Sequence, residues 1–583
     1  MRKKLAVFFL FLSLLLNLLT TSSLVYAEGV EIFSTLDSPP YVVNIKVEDR
    51  SELTPLIGLG LDLFEASTYD SVGALVSESE YQYLLDQGFQ VQKIPGFKIA
   101  AFYDFYKTYE EIKSELQTIA ANFPEITEVF SIGDSWETQQ GTADRQLWAL
   151  RVTNKAISAP KPKILYVGNH HAREVATPEV LVRLAHLLTD RYGEDPQITW
   201  LVDNREMVIL PLLNPDGYIK VENGYSWRKN TDYNNGSCSS VSYGIDLNRN
   251  YSHHWGEGGG STNPCSEVYQ GPTYFSEPET AALRDFMTQE GFPISLSYHS
   301  FGRLLLYPWG YTSQPTSDNA VFEAVAAKLT QDNNYTAGQG QHILYGTTGD
   351  MTDWAYGVLH SLSFTFEISK GSFPDDPSGF FPTESELEDI WNDNSEPMLL
   401  AASLANDPYV HGLGPEIESI TVSGLNVSVV TKSSVESVEY FIDSKGEDDT
   451  GTALSGSGIT FSGEISGTGR FLIVTAKDAI GWGPPLVAFL SSITATPTPT
   501  PDSPTITPSI TPSPTPGAPT VTPSVTPSPT PEVECPEQAK EGDYDCSGEV
   551  NEQDFEAWKN DYGNGQTTLS FFEYWRRVYF SSE

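Results

Sequence analysis

The feature that most constrains the fold is an alternation of apolar, strand-like runs with helical patterns between Tyr106 and about Asp407. Short, continuous apolar runs are typical of strands buried on both faces, which occur mainly in parallel sheets covered by helices. We therefore predict an α/β domain over residues 103–408, with a mixed, largely parallel sheet flanked by helices. Ligands bind beyond the carboxyl ends of strands in such sheets, so residues that follow the apolar runs are the first functional candidates.

Three of these runs end in residues that carry metal or acid chemistry. Ile164–Gly168 is followed by His171-Ala172-Arg173-Glu174, and a His-x-x-Glu turn can converge on one Zn²⁺, although it is more often a solvated pair. Phe292–Ser300 carries His299 at its end, which makes His299 the best candidate for a third zinc ligand. Ser363–Glu367 ends in an acid that is costly to bury without a partner or a task.

Composition divides the rest of the 583-residue chain into further parts. Residues 1–27 combine a basic start, an apolar stretch and small residues at a cleavage position, which predicts a secretory signal peptide and an extracellular protein. Residues 28–102 form a small α+β unit, placed where a pro-segment would lie. Residues 412–492 alternate polar and apolar positions, as in an immunoglobulin-like β-sandwich. Residues 493–532 are rich in Thr and Pro and form an extended linker.

Charge and cysteine content limit the partners and the compartment. The formal charge of −43, from 34 basic against 77 acidic residues, repels nucleic acids and anionic membranes, so neither is an expected partner. Four cysteines suit an oxidising compartment, and two pairs suggest themselves, Cys238 with Cys265 and Cys535 with Cys546. The absence of a Cys-x-x-Cys motif argues against thiolate ligation of zinc.

Residues 533–583 form a small acidic module with the pattern of a calcium loop. Oxygen-bearing side chains recur at the loop's ligand positions, with Gly548 at the sharp turn: Asp543, Asp545, Ser547, Asn551 and Asp554. The module resembles a dockerin with one convincing loop, because the second copy of its Phe-Glu-x-Trp motif lacks an acidic loop ahead of it. We expect one Ca²⁺ site. A cohesin-like or cell-surface partner and a self-contained calcium-stabilised cap remain as alternatives.

Further motifs complete a pattern that resembles a known family. Over about residues 106–400 the chain resembles the zinc carboxypeptidases of the carboxypeptidase A/B class, particularly the bacterial carboxypeptidase T group. The motifs occur in the family's order: His171–Glu174, Asn214–Tyr218, Trp227–Lys229, Asp246–Asn250, His299-Ser300, Tyr345 upstream of Asp353-Trp354, and Phe364–Glu367. The resemblance implies that His171, Glu174 and His299 ligate one Zn²⁺ and leave a coordination position for water.

The same resemblance implies roles for residues around the metal. Glu367 matches the general base that deprotonates the zinc-activated water, and Arg228 matches the arginine that stabilises the oxyanion. Asn248 and Arg249 match the clamp on the substrate's terminal carboxylate. Tyr345 matches a mobile tyrosine that closes over the bound terminus, and Arg173 matches a further substrate-side arginine. The segment 28–102 resembles the family's pro-segments, which implies a zymogen.

Two departures from the pancreatic pattern concern the substrate pocket. Phe301 follows His299-Ser300 where a tyrosine is usual, so a hydroxyl is missing there. Thr352 occupies the specificity position, and the nearby Asp350 offers a negative charge to the pocket wall. Our hypothesis is that the enzyme removes apolar C-terminal residues and also accepts Lys or Arg.

Two other functions fit parts of the sequence. The first is a peptidoglycan stem-peptide carboxypeptidase, which would be expected to alter the carboxylate clamp. The second is an inactive, surface-displayed binding protein that keeps this fold. Such a protein would be expected to lack part of the set of ligands, base and arginines, and no member of that set is missing here.

Overall fold

The computed structural model of this chain describes residues 41–47, 53–59, 61–64, 71–94, 102–238, 243–371 and 377–490. The predicted signal peptide, the linker, the Cys535–Cys546 pair and the calcium module lie outside these residues. Contacts separate the chain into two units, Met1–Thr496 and Pro497–Glu583, and every described residue belongs to the first. Among the described helices, none combines the length and the apolar character that crossing a membrane requires.

The central domain is built on an eight-stranded mixed sheet in the order β11-β10-β12-β9-β7-β8-β6-β5. Its strands are β5 Thr127–Asp134, β6 Gln146–Val152, β7 Lys163–Gly168, β8 Glu206–Leu210, β9 Ile294–Ser300, β10 Leu304–Tyr307, β11 Thr336–Gln339 and β12 Leu362–Ile368. The four central strands β12, β9, β7 and β8 run parallel to one another, while β10, β6 and β5 join antiparallel to their inner neighbours. The α/β fold with a mixed, largely parallel sheet is confirmed.

Helices cover the sheet, and β9 and β12 are buried along their whole length. The α-helices around the sheet are Tyr109–Asn122, Trp136–Gln139, Ala176–Asp190, Pro196–Asn204, Pro215–Glu222, Pro278–Glu290, Asn319–Thr330, Gly340–Ile343, Met351–Leu359, Glu384–Leu404 and Pro408–His411. Two 3₁₀ turns span Leu247–Arg249 and Pro377–Phe380. The first long helix begins with a capping box, in which Thr108 accepts from the Glu111 backbone and Glu111 accepts from the Thr108 backbone.

The N-terminal unit is a four-stranded antiparallel sheet in the order β2-β3-β1-β4. It consists of β1 Tyr41–Lys46, β2 Asp62–Leu63, β3 Ser71–Val76 and β4 Gln90–Lys93, with helices Leu53–Gly58 and Glu78–Asp86. These strands and helices have the α+β composition that the sequence predicts for this segment. Its limits as a pro-segment stay a prediction.

Residues beyond the central domain form two antiparallel sheets, β13-β14-β17 and β16-β15-β18-β19. Their strands are β13 Ile417–Ser423, β14 Asn426–Val435, β15 Ser437–Ile442, β16 Thr452–Ala453, β17 Ser455–Glu464, β18 Phe471–Lys477 and β19 Leu486–Phe489. Side chains from both sheets, such as Val429 and Val474, share one apolar core. The predicted sandwich is therefore present as a two-sheet unit.

Candidate active site

Three predicted zinc ligands converge at the carboxyl edge of the sheet. β7 and β9 are neighbouring parallel strands, so the loop after β7 and the end of β9 reach the same edge. His171 Nδ1 lies 2.7 Å from Glu174 Oε1 and 3.2 Å from His299 Nδ1. His299 Nδ1 lies 3.0 Å from Glu174 Oε2. All three side chains are at most 2% exposed, and within the described part of the chain they form the one cluster of three residues suited to a metal.

The chemistry of this cluster fits a zinc ion. His171 Nε2 lies 3.1 Å from Asp246 Oδ1, and because a carboxylate only accepts, Nε2 carries the proton and donates it. Burial and the nearby Arg228 guanidinium lower the pKa of His171, so the ring is neutral and its Nδ1 keeps a lone pair. That lone pair faces the Glu174 carboxylate, an arrangement of two acceptors that a bound cation would stabilise. Two imidazoles and a carboxylate are a usual ligand set for catalytic zinc.

Asp246 joins the predicted metal ligand His171 to the predicted oxyanion arginine, a role that the sequence analysis missed although the residue stands in a recognised motif. Its Oδ2 accepts from Arg228 Nε at 3.2 Å and Nη2 at 3.0 Å. Burial by itself would raise the pKa of Asp246, but the charges of Arg228 and Arg249 and the hydrogen bond from His171 hold it well below its usual range. One carboxylate therefore orients both His171 and Arg228.

Most of the predicted site residues line a single cavity next to these ligands. Glu367 reaches it because β12 pairs with β9 in a register that places Glu367 opposite His299. The residues that line the cavity include His171, Arg228, Asn248, Arg249, Tyr345, Asp350, Thr352 and Glu367. Arg173 does not line it. Its guanidinium lies 4.4 Å from the centre of the Phe380 ring and 5.9 Å from that of Phe64 in the N-terminal unit.

The carboxylate-clamp residues are fixed by their own hydrogen bonds. Arg249 donates from Nε to the Gly259 carbonyl at 2.9 Å and from Nη1 to the Asn248 carbonyl at 2.8 Å. The Asn248 side chain accepts from the Met351 backbone at 3.0 Å, which joins the clamp to the helix that carries Thr352. The guanidinium and the amide are thereby held at the cavity wall.

The far wall of the cavity is polar. The hydroxyls of Thr352 and Thr365 lie 2.6 Å apart, and the Asp350 carboxylate caps the helix Met351–Leu359 by accepting from the Asp353 backbone at 2.9 Å. Burial and the neighbouring Asp350 raise the pKa of Asp353 well above its usual range. Gly310 leaves room beside these groups, because a Cβ there would lie 3.2 Å from Asp350 Oδ2 and 2.3 Å from Thr347 Oγ1.

The N-terminal unit packs against this site. Tyr345 and Leu344 of the cavity wall belong to the same apolar cluster as Val43 and other core residues of that unit. The Phe64 ring centre lies 5.5 Å from that of Phe380 and 6.2 Å from that of Phe301, and Phe64 is 1% exposed. Phe301, which has no hydroxyl, therefore packs between aromatic rings. No motif in the sequence indicated the Phe64 contact.

The loop beside the cavity contains the predicted disulfide of the catalytic region. Cys238 and Cys265 are joined, with their Cα atoms 5.2 Å apart. The bond joins two points of the chain that flank the segment holding Arg249 and Gly259. It restricts the loop from which the clamp arginine projects.

Comparison with known proteins places this arrangement in a family. The family model for zinc carboxypeptidases, peptidase family M14, matches residues 112–397. Mouse carboxypeptidase A2 is 30% identical over 307 residues, which cover 51% of this chain and 69% of that protein. Human carboxypeptidase B is 33% identical over 295 residues, 49% of this chain and 67% of that protein.

Solved structures agree at the level of the fold. The crystal structure of a carboxypeptidase A from Helicoverpa armigera matches with a TM-score of 0.53 and 24% identity, over 65% of this chain and 98% of that one. Thrombin activatable fibrinolysis inhibitor matches with a TM-score of 0.51 and 24% identity, over 64% of this chain and 98% of that one. The resemblance to the carboxypeptidase A/B class is confirmed, and the chain belongs to the zinc carboxypeptidase family.

Proposed function

We propose that this chain is an exported zinc carboxypeptidase that hydrolyses the C-terminal peptide bond of peptides and proteins. The observation that carries the proposal is the cavity itself, where the His171, Glu174 and His299 cluster adjoins an acid, a fixed arginine and a carboxylate clamp. Export is supported by the signal-like residues 1–27.

The reaction follows from what each side chain offers. A bound Zn²⁺ would polarise the scissile carbonyl and lower the pKa of a coordinated water. Glu367 takes the proton of the attacking water and then delivers it to the leaving amine. Arg228 is 1% exposed and held by Asp246, so it presents a fixed positive charge where the carbonyl oxygen becomes negative.

Recognition of a free C-terminus is assigned to three residues. The planar guanidinium of Arg249 suits a carboxylate, which it binds through two parallel hydrogen bonds. Asn248 lies beside it, and Tyr345, which also lines the cavity, closes over the bound terminus. Arg173 acts farther from the scissile bond, where it contacts the substrate upstream of the terminal residue.

The pocket beyond the clamp supports a broad preference. Apolar C-terminal side chains fit against Leu306 and Tyr307, which also line the cavity. Asp350 supplies a carboxylate for Lys or Arg side chains. Thr352 is uncharged and therefore neither attracts nor repels a charged side chain. Rates on matched peptides that end in Phe, Leu, Lys, Arg and Glu would test this preference. A strong and exclusive preference for Glu would contradict it.

The segment 28–102 is proposed to keep the enzyme latent until it is cleaved. Support comes from the packing of Phe64 against Phe301, Phe380 and Arg173, and from the shared core with Tyr345. A substrate cannot reach Arg173 while Phe64 occupies this position. Removal of the segment is therefore required for full activity.

The C-terminal module is proposed to bind one Ca²⁺ through Asp543, Asp545, Ser547, Asn551 and Asp554. Calorimetric titration of the full chain with Ca²⁺, compared with Asp543→Asn, tests this site. Binding of a cohesin-like or cell-surface partner through the same module would be sought in the calcium-loaded protein.

The deciding experiment uses the chain from Glu28, treated lightly with trypsin to remove the N-terminal unit. Release of single C-terminal residues should appear on processing, stop with a zinc chelator and return with added Zn²⁺. Glu367→Gln should bind zinc normally but release residues about 10²–10⁴-fold more slowly, since it lacks the base. Processed, zinc-loaded protein that cleaves no peptide in the panel would defeat the proposal and favour a binding role. Cleavage restricted to peptidoglycan stem peptides would favour that alternative.

A further inference from the structure

His170 stands next to the first zinc ligand, and the reaction described above gives it no task. Its side chain is 0% exposed. The ring stacks on His299, with the ring centres 5.2 Å apart and the planes 22° from parallel. His170 Nε2 lies 2.8 Å from the Tyr251 hydroxyl, and His170 Nδ1 lies 3.5 Å from Ser297 Oγ. A buried, polar ring is thus packed directly against a metal ligand.

The hydrogen-bond partners of His299 fix which of its nitrogens faces the metal. His299 Nδ1 points at the other two ligands, so Nε2 must carry the ring proton when a metal is bound. Ser297 Oγ lies 3.1 Å from Nε2 and accepts that proton's hydrogen bond. Asn248 Nδ2 is farther away, at 3.5 Å, and as a donor it cannot replace the serine.

The hydrogen bonds that follow, farther from the metal, are donated in the same direction. Once Ser297 accepts from His299, its own hydroxyl hydrogen can donate to His170 Nδ1, which lies 3.5 Å away. His170 then carries its proton on Nε2 and donates to the Tyr251 oxygen. The result is a one-way chain of neutral groups from the ligand to Tyr251, in which each member fixes the orientation of the next.

We propose that Ser297 and His170 are positioning residues that hold the His299 ring with Nδ1 toward the zinc, through a hydrogen bond from one side and a stacked ring from the other. This inference rests on the proposed zinc site. It gives the two imidazole ligands different supports: the carboxylate of Asp246 backs His171, and a neutral Ser297–His170–Tyr251 chain backs His299. Partners that orient a metal ligand typically change metal affinity or activity by about 10–100-fold when they are removed.

β9 offers a matched control. Ser295 and Ser297 lie on the same strand, are at most 1% exposed and both make hydroxyl hydrogen bonds. Ser295 bonds to Ser361 and Ser363, at 3.0 Å each, and not to a zinc ligand. Loss of either hydroxyl leaves a similar small defect in the core, so a difference between Ser297→Ala and Ser295→Ala isolates the contact with His299.

The measurement is the rate at which zinc-loaded, full-length protein gives up its metal to an excess of a chromogenic chelator. Ser297→Ala should release zinc about 10–100-fold faster than wild type, and Ser295→Ala at the wild-type rate. The double variant His170→Phe/Tyr251→Phe keeps a flat ring on His299 and removes both of these polar side chains together, so that the Tyr251 hydroxyl is not left without its partner. It should release zinc about tenfold faster. Melting temperatures of the metal-free variants are measured alongside.

Two results would overturn the inference. One is zinc release at the wild-type rate from both Ser297→Ala and the double variant. The other is zinc release from Ser295→Ala that is as fast as from Ser297→Ala, which would indicate general loosening of the core. Failure of the proposed function looks different, because the wild-type protein would then hold no zinc, or would hold it without cleaving any peptide. A wild-type protein that holds no zinc would contradict the inference as well. A protein that holds zinc but cleaves no peptide would not affect it.

Discussion

At the scale of single residues, Asp246 joins two predicted site residues, although the family resemblance assigned it no role. It accepts from His171 on one oxygen and from Arg228 on the other, in a fully buried position. Asp246→Asn removes the charge that faces Arg228 and substitutes an amide donor at one of the two sites. We expect kcat/KM to fall about 10–100-fold or more, with weaker zinc binding. Steady-state kinetics and zinc competition on the same preparation measure both effects.

The control for this change is Asp203→Asn. Asp203 is also buried and bonded, to Asn154 and Tyr192, but these partners belong to the opposite end of the domain from the metal ligands. Its substitution should leave kcat/KM near wild type. Comparable losses of activity in both variants would show that the Asp246 effect is a loss of folding rather than of site geometry.

A second prediction at this scale concerns a buried acid away from the cavity. Burial and the nearby Asp232 raise the pKa of Glu277 from 4.5 to about 8. The folded protein therefore keeps a proton that the unfolded chain releases above about pH 4.5, so stability falls as the pH rises from about 5 to about 8. The slope from this group is at most about 1.4 kcal/mol per pH unit. Glu277→Gln, which cannot ionise, should flatten the decline.

Scanning calorimetry between pH 5.5 and pH 8.5 measures this decline in stability. Metal-free protein is used because removal of zinc eliminates the pH dependence of metal binding. The exposed Glu396 provides a control substitution, Glu396→Gln, whose melting curve should follow that of wild type across the range. Parallel profiles for Glu277→Gln and wild type would mean that Glu277 is ionised in the fold at neutral pH.

At the scale of elements, the strands that carry the site were the predictable part. The apolar runs at 164–168, 292–300 and 363–367 became β7, β9 and β12, because strands buried on both faces have a composition that sequence alone shows. Because these strands are parallel neighbours, His171, His299 and Glu367 lie at the same edge of the sheet. The partners of these residues were not predictable. Asp246 is 75 positions from His171, and such a contact depends on how an irregular loop closes, which no local pattern encodes.

In the N-terminal unit, too, the secondary structure was predictable from the sequence but the long-range contacts were not. Its β1 strand and its Glu78–Asp86 helix follow from local pattern and capping, whereas the position of Phe64 against Phe380 follows from the docking of one unit on another. From this docking we predict that Phe64→Ala raises the activity of the uncleaved chain. Loss of a buried aromatic side chain costs about 3–5 kcal/mol, enough to shift the docked state by more than tenfold.

Hydrolysis of a short peptide by the intact protein, before and after trypsin, measures this shift. Phe64→Ala should be at least tenfold more active than wild type before cleavage and equal to it afterwards, because cleavage at the proposed end of the pro-segment removes residue 64. Phe89→Ala, in the same unit but absent from the contacts with Phe301 and Phe380, is the control. Equal latency in the two variants would place the inhibitory contact elsewhere.

At the scale of the whole molecule, the described β-sandwich packs on the catalytic domain and shares its core. Phe471, Ile473 and Val487 belong to the main apolar cluster of the domain. The Val487 backbone donates to Gln197 Oε1 at 2.9 Å, and His411 lies 3.2 Å from Asp448 across the same boundary. A module tethered for binding alone would not need to bury large apolar side chains in its neighbour. The sandwich therefore contributes to the stability of the enzyme, whatever else it binds.

This argument predicts the effect of two truncations. A chain that ends at residue 412 exposes the surface that Phe471, Ile473 and Val487 covered, and burial of three such side chains contributes about 5 kcal/mol. Its melting temperature should fall by ~5 °C or more, given the usual relation between stability and melting temperature. A chain that ends at residue 496 keeps the sandwich and should melt like the full protein. If the two truncated chains melt together at the temperature of the full protein, the sandwich adds no stability and its role lies in binding.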